Sequence, residues 1–235
     1  VELNSKLSWE VNVLATQQLI ENSVKNKVEH FIFASSGSVY GVKEEKEVTE
    51  DLSLVPISTY NKTKMIAERI LKSYENDIKL HCIRPATVCG FSPRMRLDVS
   101  VNMFTFQALK SKSMSIFGGD QIRPNIHIQD LINVYKHFIS KPNLPGGFYN
   151  AGFENLKIIE IAEKVAKIIP SKINIMENND PRSYRQNSDK LLSTGFKKKY
   201  SVLDAIKELK EKYMNKKFTE SEKCYTVKWM KTLNL

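Results

Sequence analysis

Phe31-Ile-Phe-Ala-Ser35-Ser36-Gly37-Ser38-Val39-Tyr40-Gly41, followed after a polar loop by Tyr60-Asn-Lys-Thr-Lys64, decides how this chain folds. An apolar run ends in small hydroxyl residues, the pattern of a buried strand giving way to a turn. The second segment opens a helix with a Tyr and a Lys four positions apart, which places both on one face. A cation beside the phenol would favour phenolate and lower the Tyr60 pKa, making Tyr60 usable as an acid or base near neutral pH. A serine at the end of the preceding strand could hold the reacting oxygen.

Y-x-x-x-K alone is weak, since about one match is expected by chance with 9 Tyr and 29 Lys in the chain. The other match, Tyr213 to Lys217, lies in a charge-rich segment and reads as a solvated helix face. Tyr60 is set apart by its company: Ser-Ser-Gly-Ser-Val-Tyr-Gly upstream, Pro56 just before the helix, and Arg84-Pro85 closing the next apolar run.

At these residues the chain resembles the extended short-chain dehydrogenase/reductases, specifically the NAD-dependent nucleotide-sugar epimerase/dehydratase family. The resemblance covers nearly the whole chain but only the later part of a family member. Family members begin with a Gly-rich strand-turn-helix for the dinucleotide pyrophosphate. No G-x-x-G-x-x-G occurs here and the first residue is Val1, so an N-terminally truncated chain is expected. The implied fold is α/β: a partial Rossmann-like, doubly wound parallel sheet without its first strands, joined to a smaller α+β substrate-binding domain. Residues 1–90, with a return segment near 123–140, would form the rest of the NAD(P)-binding domain, and 91–235 mainly the nucleotide-sugar domain.

The alternation along the chain agrees with that class. Residues 9 to 25 read as a helix with Val13, Thr16, Ile20 and Val24 inward. Val28 to Ala34 reads as a parallel strand covered on both faces. Tyr60 to Tyr74 is a helix and Leu80 to Arg84 a strand. Helices are expected at Asn102 to Lys110, after Asp130, at 157–169 and from Ser201, where Asp204 completes a capping box. Short strands are expected at Ile116 to Gly119, before Asp130, at Phe148 to Asn150 and at Lys172 to Met176. The tail from Lys216 has no clear period.

The resemblance implies roles for individual residues. Ser36 stands where the family places its catalytic Ser or Thr, and Ser36, Tyr60 and Lys64 form the implied catalytic set. Asn12, Ser35, Tyr60, Lys64, Pro85 and Val88 would lie against the cofactor, which is NAD, with NADP left open. Ser36, Thr87, Asn102, Arg123, Asn155 and Arg182 would contact the substrate, with Arg123 and Asn102 at the diphosphate. Ser35 and Ser36 could also merely cap the turn, Asn12 could be a polar helix start, and Asn155 a helix cap. His127 and Asp130 read as structural, a strand histidine and a helix-capping aspartate; His30, His81 and His137 carry no signal.

The resemblance further implies epimerisation, commonly at C4, through a keto-sugar. Gly37 and Ser38 occupy positions where the family's 4,6-dehydratases carry acidic residues, which argues against dehydration. A net NAD(P)H-dependent reductase or dehydrogenase, and a non-catalytic remnant or binding module, stand as alternatives. The resemblance implies a nucleotide-diphosphate sugar as partner and a homodimer.

Composition narrows the rest. At 235 residues, 41% hydrophobic and 26% charged, the chain can bury a substantial core. The net charge of +10 comes from Lys dispersed along the chain, without the clustering and aromatic interleaving of a nucleic-acid binder. No apolar run approaches a membrane span and no signal sequence opens the chain. Cys82, Cys89 and Cys224 lack metal-ligand spacing and read as free thiols of a cytoplasmic protein, with no metal expected.

Overall fold

The computed structural model of the chain describes residues 3–177 and 183–233. The chain opens with α1 (Ser5–Trp9), a π-helical turn (Glu10–Leu14) and α2 (Ala15–Lys25). Asn4 caps α1 by accepting from Leu7 N. Val13, Thr16 and Ile20 are buried at the expected spacing. Next come β1 (His30–Ala34), a 3-10 turn (Gly37–Tyr40), α3 (Thr59–Lys72), β2 (Lys79–Pro85), β3 (Thr87–Cys89) and α4 (Ser100–Ser111). Then follow β4 (Ser113–Phe117), β5 (Ile122–His127), α5 (Ile128–Ser140), β6 (Gly147–Ala151), β7 (Glu154–Lys157) and α6 (Ile158–Ile168). The described chain closes with β8 (Lys172–Met176), α7 (Asp189–Ser193), α8 (Val202–Met214), a 3-10 turn (Glu222–Cys224) and α9 (Thr226–Thr232).

A wholly parallel sheet in the order β1-β2-β6 organises the first part. On β2, successive residues point to opposite faces. Leu80 and Cys82 join Ile20 and Leu71 under α2 and α3, while Ile83 joins Val134, Phe138 and Tyr149 under α5. This covering of both faces explains why β2 is buried from Leu80 to Arg84. β1 departs from the expectation of full burial. Among the described residues it pairs only with β2, and Phe31, Ile32 and Phe33 are half-buried. β3 pairs in parallel with β5, which pairs antiparallel with β7, and β4 pairs in parallel with β8. A separate core packs Phe104 of α4, Met114 and Ile116 of β4, Ile161 and Val165 of α6, and Ile206 of α8. Each such fully buried side chain contributes about 1.5–3 kcal/mol of transfer free energy.

Two local readings need correction. Tyr213 is not on a solvated face: its ring lies 5.9 Å from Phe106 and 6.0 Å from Phe218, because the chain after α8 folds back over it. Asp130 does not cap its own helix. It is buried and accepts from Lys199 N and Tyr200 N, tying the lead into α8 to α5. The α5 N-cap is instead His127, whose Nδ1 accepts from Gln129 N at 3.1 Å. The capping box at Ser201 and Asp204 forms as expected, and all three cysteines are free and buried.

Candidate active site

Ser36 ends the extended stretch after β1 and caps the 3-10 turn by accepting from Ser38 N. The turn closes at Gly41, whose φ of 73° suits glycine. A Cβ there would lie 1.9 Å from the Val55 carbonyl oxygen. The Ser36 and Ser38 hydroxyls are 2.8 Å apart, and Ser38 donates to Asn61 Oδ1 at 2.7 Å. Asn61 follows Tyr60 in the first turn of α3, which Ser58 caps by accepting from Asn61 N. The serine turn and the tyrosine helix are thereby fastened together.

Tyr60 and Ser36 share a cleft of about 540 Å³. Burial raises the Tyr60 pKa above its ordinary value, while hydrogen bonding from Ser36 and the positive charge of Arg96 pull it down. The direction is opposite to that expected from the sequence. Lys64 does share the helix face, but its Nζ donates to the Ala34 carbonyl at 2.9 Å and lies 6.0 Å from the Tyr60 ring centroid. It packs over Phe33 at 4.8 Å, and its own pKa is lowered by burial against the opposing pull of Glu68. Desolvation of the phenol therefore outweighs the hydrogen bond to Ser36 and the charge of Arg96.

Asn12 sits in the π-helical turn, a feature frequent at functional sites. Its side chain donates to Thr63 Oγ1 at 3.1 Å, and Thr63 donates to the Tyr60 carbonyl. Ser35 donates to Glu68 Oε1 at 2.5 Å, and Glu68 pairs with Arg84 through Nε and NH1's sister nitrogen NH2 at 2.9 and 2.7 Å. Arg84 also donates to the Tyr40 hydroxyl, which donates to Asn150 Oδ1. A buried network thus braces the strand end that carries Ser36.

Pro85, Thr87 and Val88 line the cleft beside Ser35, at the carboxyl ends of the strands, where open α/β sheets bind ligands. Asn102 also lines it, but its amide holds Gly90 N, Gly90 O and Arg96 O, so it shapes the 90–96 loop. Arg123 is the second residue of β5 and donates to the Ile122 carbonyl; it is not among the described residues lining the cleft. Asn155 lies in β7 and is no helix cap. It clamps the Gln186 backbone with two hydrogen bonds and lines a separate cavity of about 260 Å³. Arg182 lies outside the described residues.

Ser38, Arg94 and Arg96 also line the cleft, and Asn61 holds Ser38, though none of them is among the residues expected from the sequence to contact cofactor or substrate. A signal existed for the two arginines, since the chain has only seven Arg and two fall in one loop. Among the described residues no cluster of His, Cys, Asp or Glu could hold a metal, and no helix is long and apolar enough to cross a membrane.

Comparison with known proteins shows the family. Residues 3–152 match the model of the NAD dependent epimerase/dehydratase family. YtcB of Bacillus subtilis, described as an uncharacterised UDP-glucose epimerase, is 34% identical over 162 residues, covering 66% of this chain and 50% of that protein. The UDP-glucose 4-epimerase of Lactobacillus helveticus is 28% identical over 224 residues, covering 84% of this chain and 68% of that one. Among solved structures, the UDP-glucuronic acid 4-epimerase of Bacillus cereus with UDP-glucuronic acid and NAD superposes with a TM-score of 0.76. It is 28% identical, covering 89% of this chain and 68% of that one. The chain spans between half and about two thirds of the length of these relatives.

Proposed function

Because the chain belongs to the NAD dependent epimerase/dehydratase family, we propose that it acts on a nucleotide-diphosphate sugar as an epimerase, inverting a sugar hydroxyl, at C4, through a ketone. The observation that carries this reading is the composition of the cleft. Ser36 and Tyr60 face it together, and no Asp or Glu is among its described lining residues. A 4,6-dehydration needs an acid and a base beyond the tyrosine to remove water from the sugar; Gly37 and Ser38 offer no carboxylate, and Ser38 is engaged by Asn61.

In this reading the Ser36 hydroxyl holds the sugar oxygen against the Tyr60 phenol. Tyr60 Oη takes the hydroxyl proton as the ketone forms and returns it on reduction. Arg96 supplies positive charge that favours the phenolate against the cost of burial. NAD, when bound, supplies the hydride acceptor and donor. Lys64, Asn12, Ser35, Pro85 and Val88 would hold its nicotinamide end. Ser35, Pro85 and Val88 fit that group, since they line the cleft where it opens at the ends of β2 and β3, while Lys64 and Asn12 stand beside them at the Ala34 carbonyl and at Thr63. The sequence contains no Gly-rich turn of the kind that cradles a pyrophosphate. Thr87 would touch the sugar, with Arg123 and Arg182 serving the diphosphate and Asn102 shaping the loop beside it.

The test is incubation of the protein with UDP-hexoses and UDP-hexuronic acids, with NAD supplied. Conversion to the C4 epimer without net cofactor consumption is expected. Accumulation of a 4-keto-6-deoxy sugar, or stoichiometric consumption of NAD(P)H, would overturn the assignment in favour of a dehydratase or a reductase.

A further inference from the structure

Arg96 reaches the cleft from a loop that Asn102 of α4 holds on one side, through Gly90 and the Arg96 carbonyl. The arginine side chain itself is held from the other side, by the segment at Thr226. Arg96 Nε donates to Asp98 Oδ1 at 2.8 Å, and Asp98 Oδ2 accepts from Thr226 N at 2.8 Å. Leu97 N donates to the Cys224 carbonyl at 2.8 Å. Beneath these bonds Met95 and Leu97 pack with Cys224, Leu209 and Phe106. Asp98 therefore uses one oxygen for the arginine and the other for the backbone of a segment some 130 residues further along the chain.

We infer that Asp98 is a positioning residue, which fixes the Arg96 guanidinium in the cleft facing Tyr60 by anchoring it to the C-terminal segment at Thr226. The inference rests on the epimerase reading for its kinetic consequence but not for its geometry. Arg96 is half exposed. Without an anchor a long cationic side chain spreads its charge into solvent, where it is screened. The other titratable groups facing Tyr60 are Lys64 on its own helix, Tyr135 from α5, Arg94 from the same loop and Tyr184 from the segment before α7. Arg96, and not Asp98, is the charge that acts on Tyr60, so the effect of Asp98 runs through Arg96. The charge of Arg96 favours the Tyr60 phenolate, and Asp98 keeps that charge close.

The experiment is a double-mutant cycle read on the pH profile of kcat/KM. Arg96→Met should move the limb that reports tyrosine ionisation to higher pH by several tenths of a unit. Asp98→Ala should move it the same way, and should move it no further in the Arg96→Met background. Thr226→Pro provides a second route. It deletes the N–H that Asp98 accepts, together with the Thr226 hydroxyl, at the first position of α9, where proline is tolerated. It should reproduce the shift of Asp98→Ala in part, with KM and melting temperature changed little. An equal shift by Asp98→Ala with and without Arg96, or no shift from either Asp98→Ala or Thr226→Pro, would overturn the inference. Absence of turnover in the parent protein would overturn the epimerase reading instead. The same cycle is then read by titrating tyrosinate absorbance, each variant minus its Tyr60→Phe counterpart, with the same two outcomes deciding.

Discussion

Replacing Glu68 with Gln removes one charge from the network that braces the serine turn. Arg84 and Glu68 are 3% and 1% exposed and meet at 2.7 Å, so neither has water to fall back on. Glu68 accepts from Arg84 Nε, Arg84 NH2 and the Ser35 hydroxyl. A Gln can keep one of the two guanidinium bonds with its oxygen, but its amide would face the other N–H donor to donor. Arg84 would then be a buried cation with no counter-charge, since its remaining partners are the Tyr40 hydroxyl and the Glu50 carbonyl. Breaking a buried pair this way costs about 3–5 kcal/mol. For a chain of this size that corresponds to a melting-temperature loss on the order of 10 °C. Urea unfolding followed by circular dichroism measures it. The added substitution Arg84→Met should recover at least half the loss, because it removes the stranded charge along with its partner. A Glu68→Gln protein within about 1 kcal/mol of the parent, below the range for an uncompensated buried charge, would refute the reasoning.

Two further outcomes are expected. His81 is fully buried and its pKa is lowered to about 4, by desolvation first and the neighbouring His30 second. A depressed folded-state pKa means the stabilisation is complete above the unfolded value near 6.5 and is lost as pH falls toward 4. Unfolding free energy should therefore drop by about 2 kcal/mol between pH 7 and pH 5 on account of this group; a slope unchanged in His81→Leu would contradict it. Gly41→Ala should destabilise the protein by about 1–3 kcal/mol through strain and overpacking, since the new Cβ meets the Val55 carbonyl. An unchanged melting temperature would show that the 3-10 turn relaxes freely.

The placement of Ser36, Tyr60 and Lys64 was legible because its signals are local. Helical spacing puts Lys64 on the Tyr60 face, and a strand that stops in serines announces its own turn. The direction of the Tyr60 pKa was not legible, because the sequence reveals Lys64 one helical turn away but neither the burial that raises the pKa nor the Arg96 charge that opposes it. β3 and β7, of three and four residues, are too short to show a period, and β7 has a single apolar residue, Leu156. The π-helical turn at Asn12 leaves the buried spacing of Val13, Thr16 and Ile20 intact, so the pattern reads as one helix. The role of Asp98 depends on a contact with Thr226 that sequence separation hides. Asp130 misled for the same reason, its position suggesting a local cap while its partners lie at Lys199 and Tyr200.

The central claim is that Tyr60, facing the same cleft as Ser36, is the acid and base of an epimerisation. It is tested most directly by measuring Tyr60→Phe for both turnover and sugar-nucleotide affinity, the second by calorimetry. The substitution removes one hydroxyl and keeps the ring that lines the cleft. Turnover should fall by about 10²- to 10⁴-fold, the range for a positioned acid–base group, with affinity nearly unchanged. Turnover equal to the parent's would contradict the account.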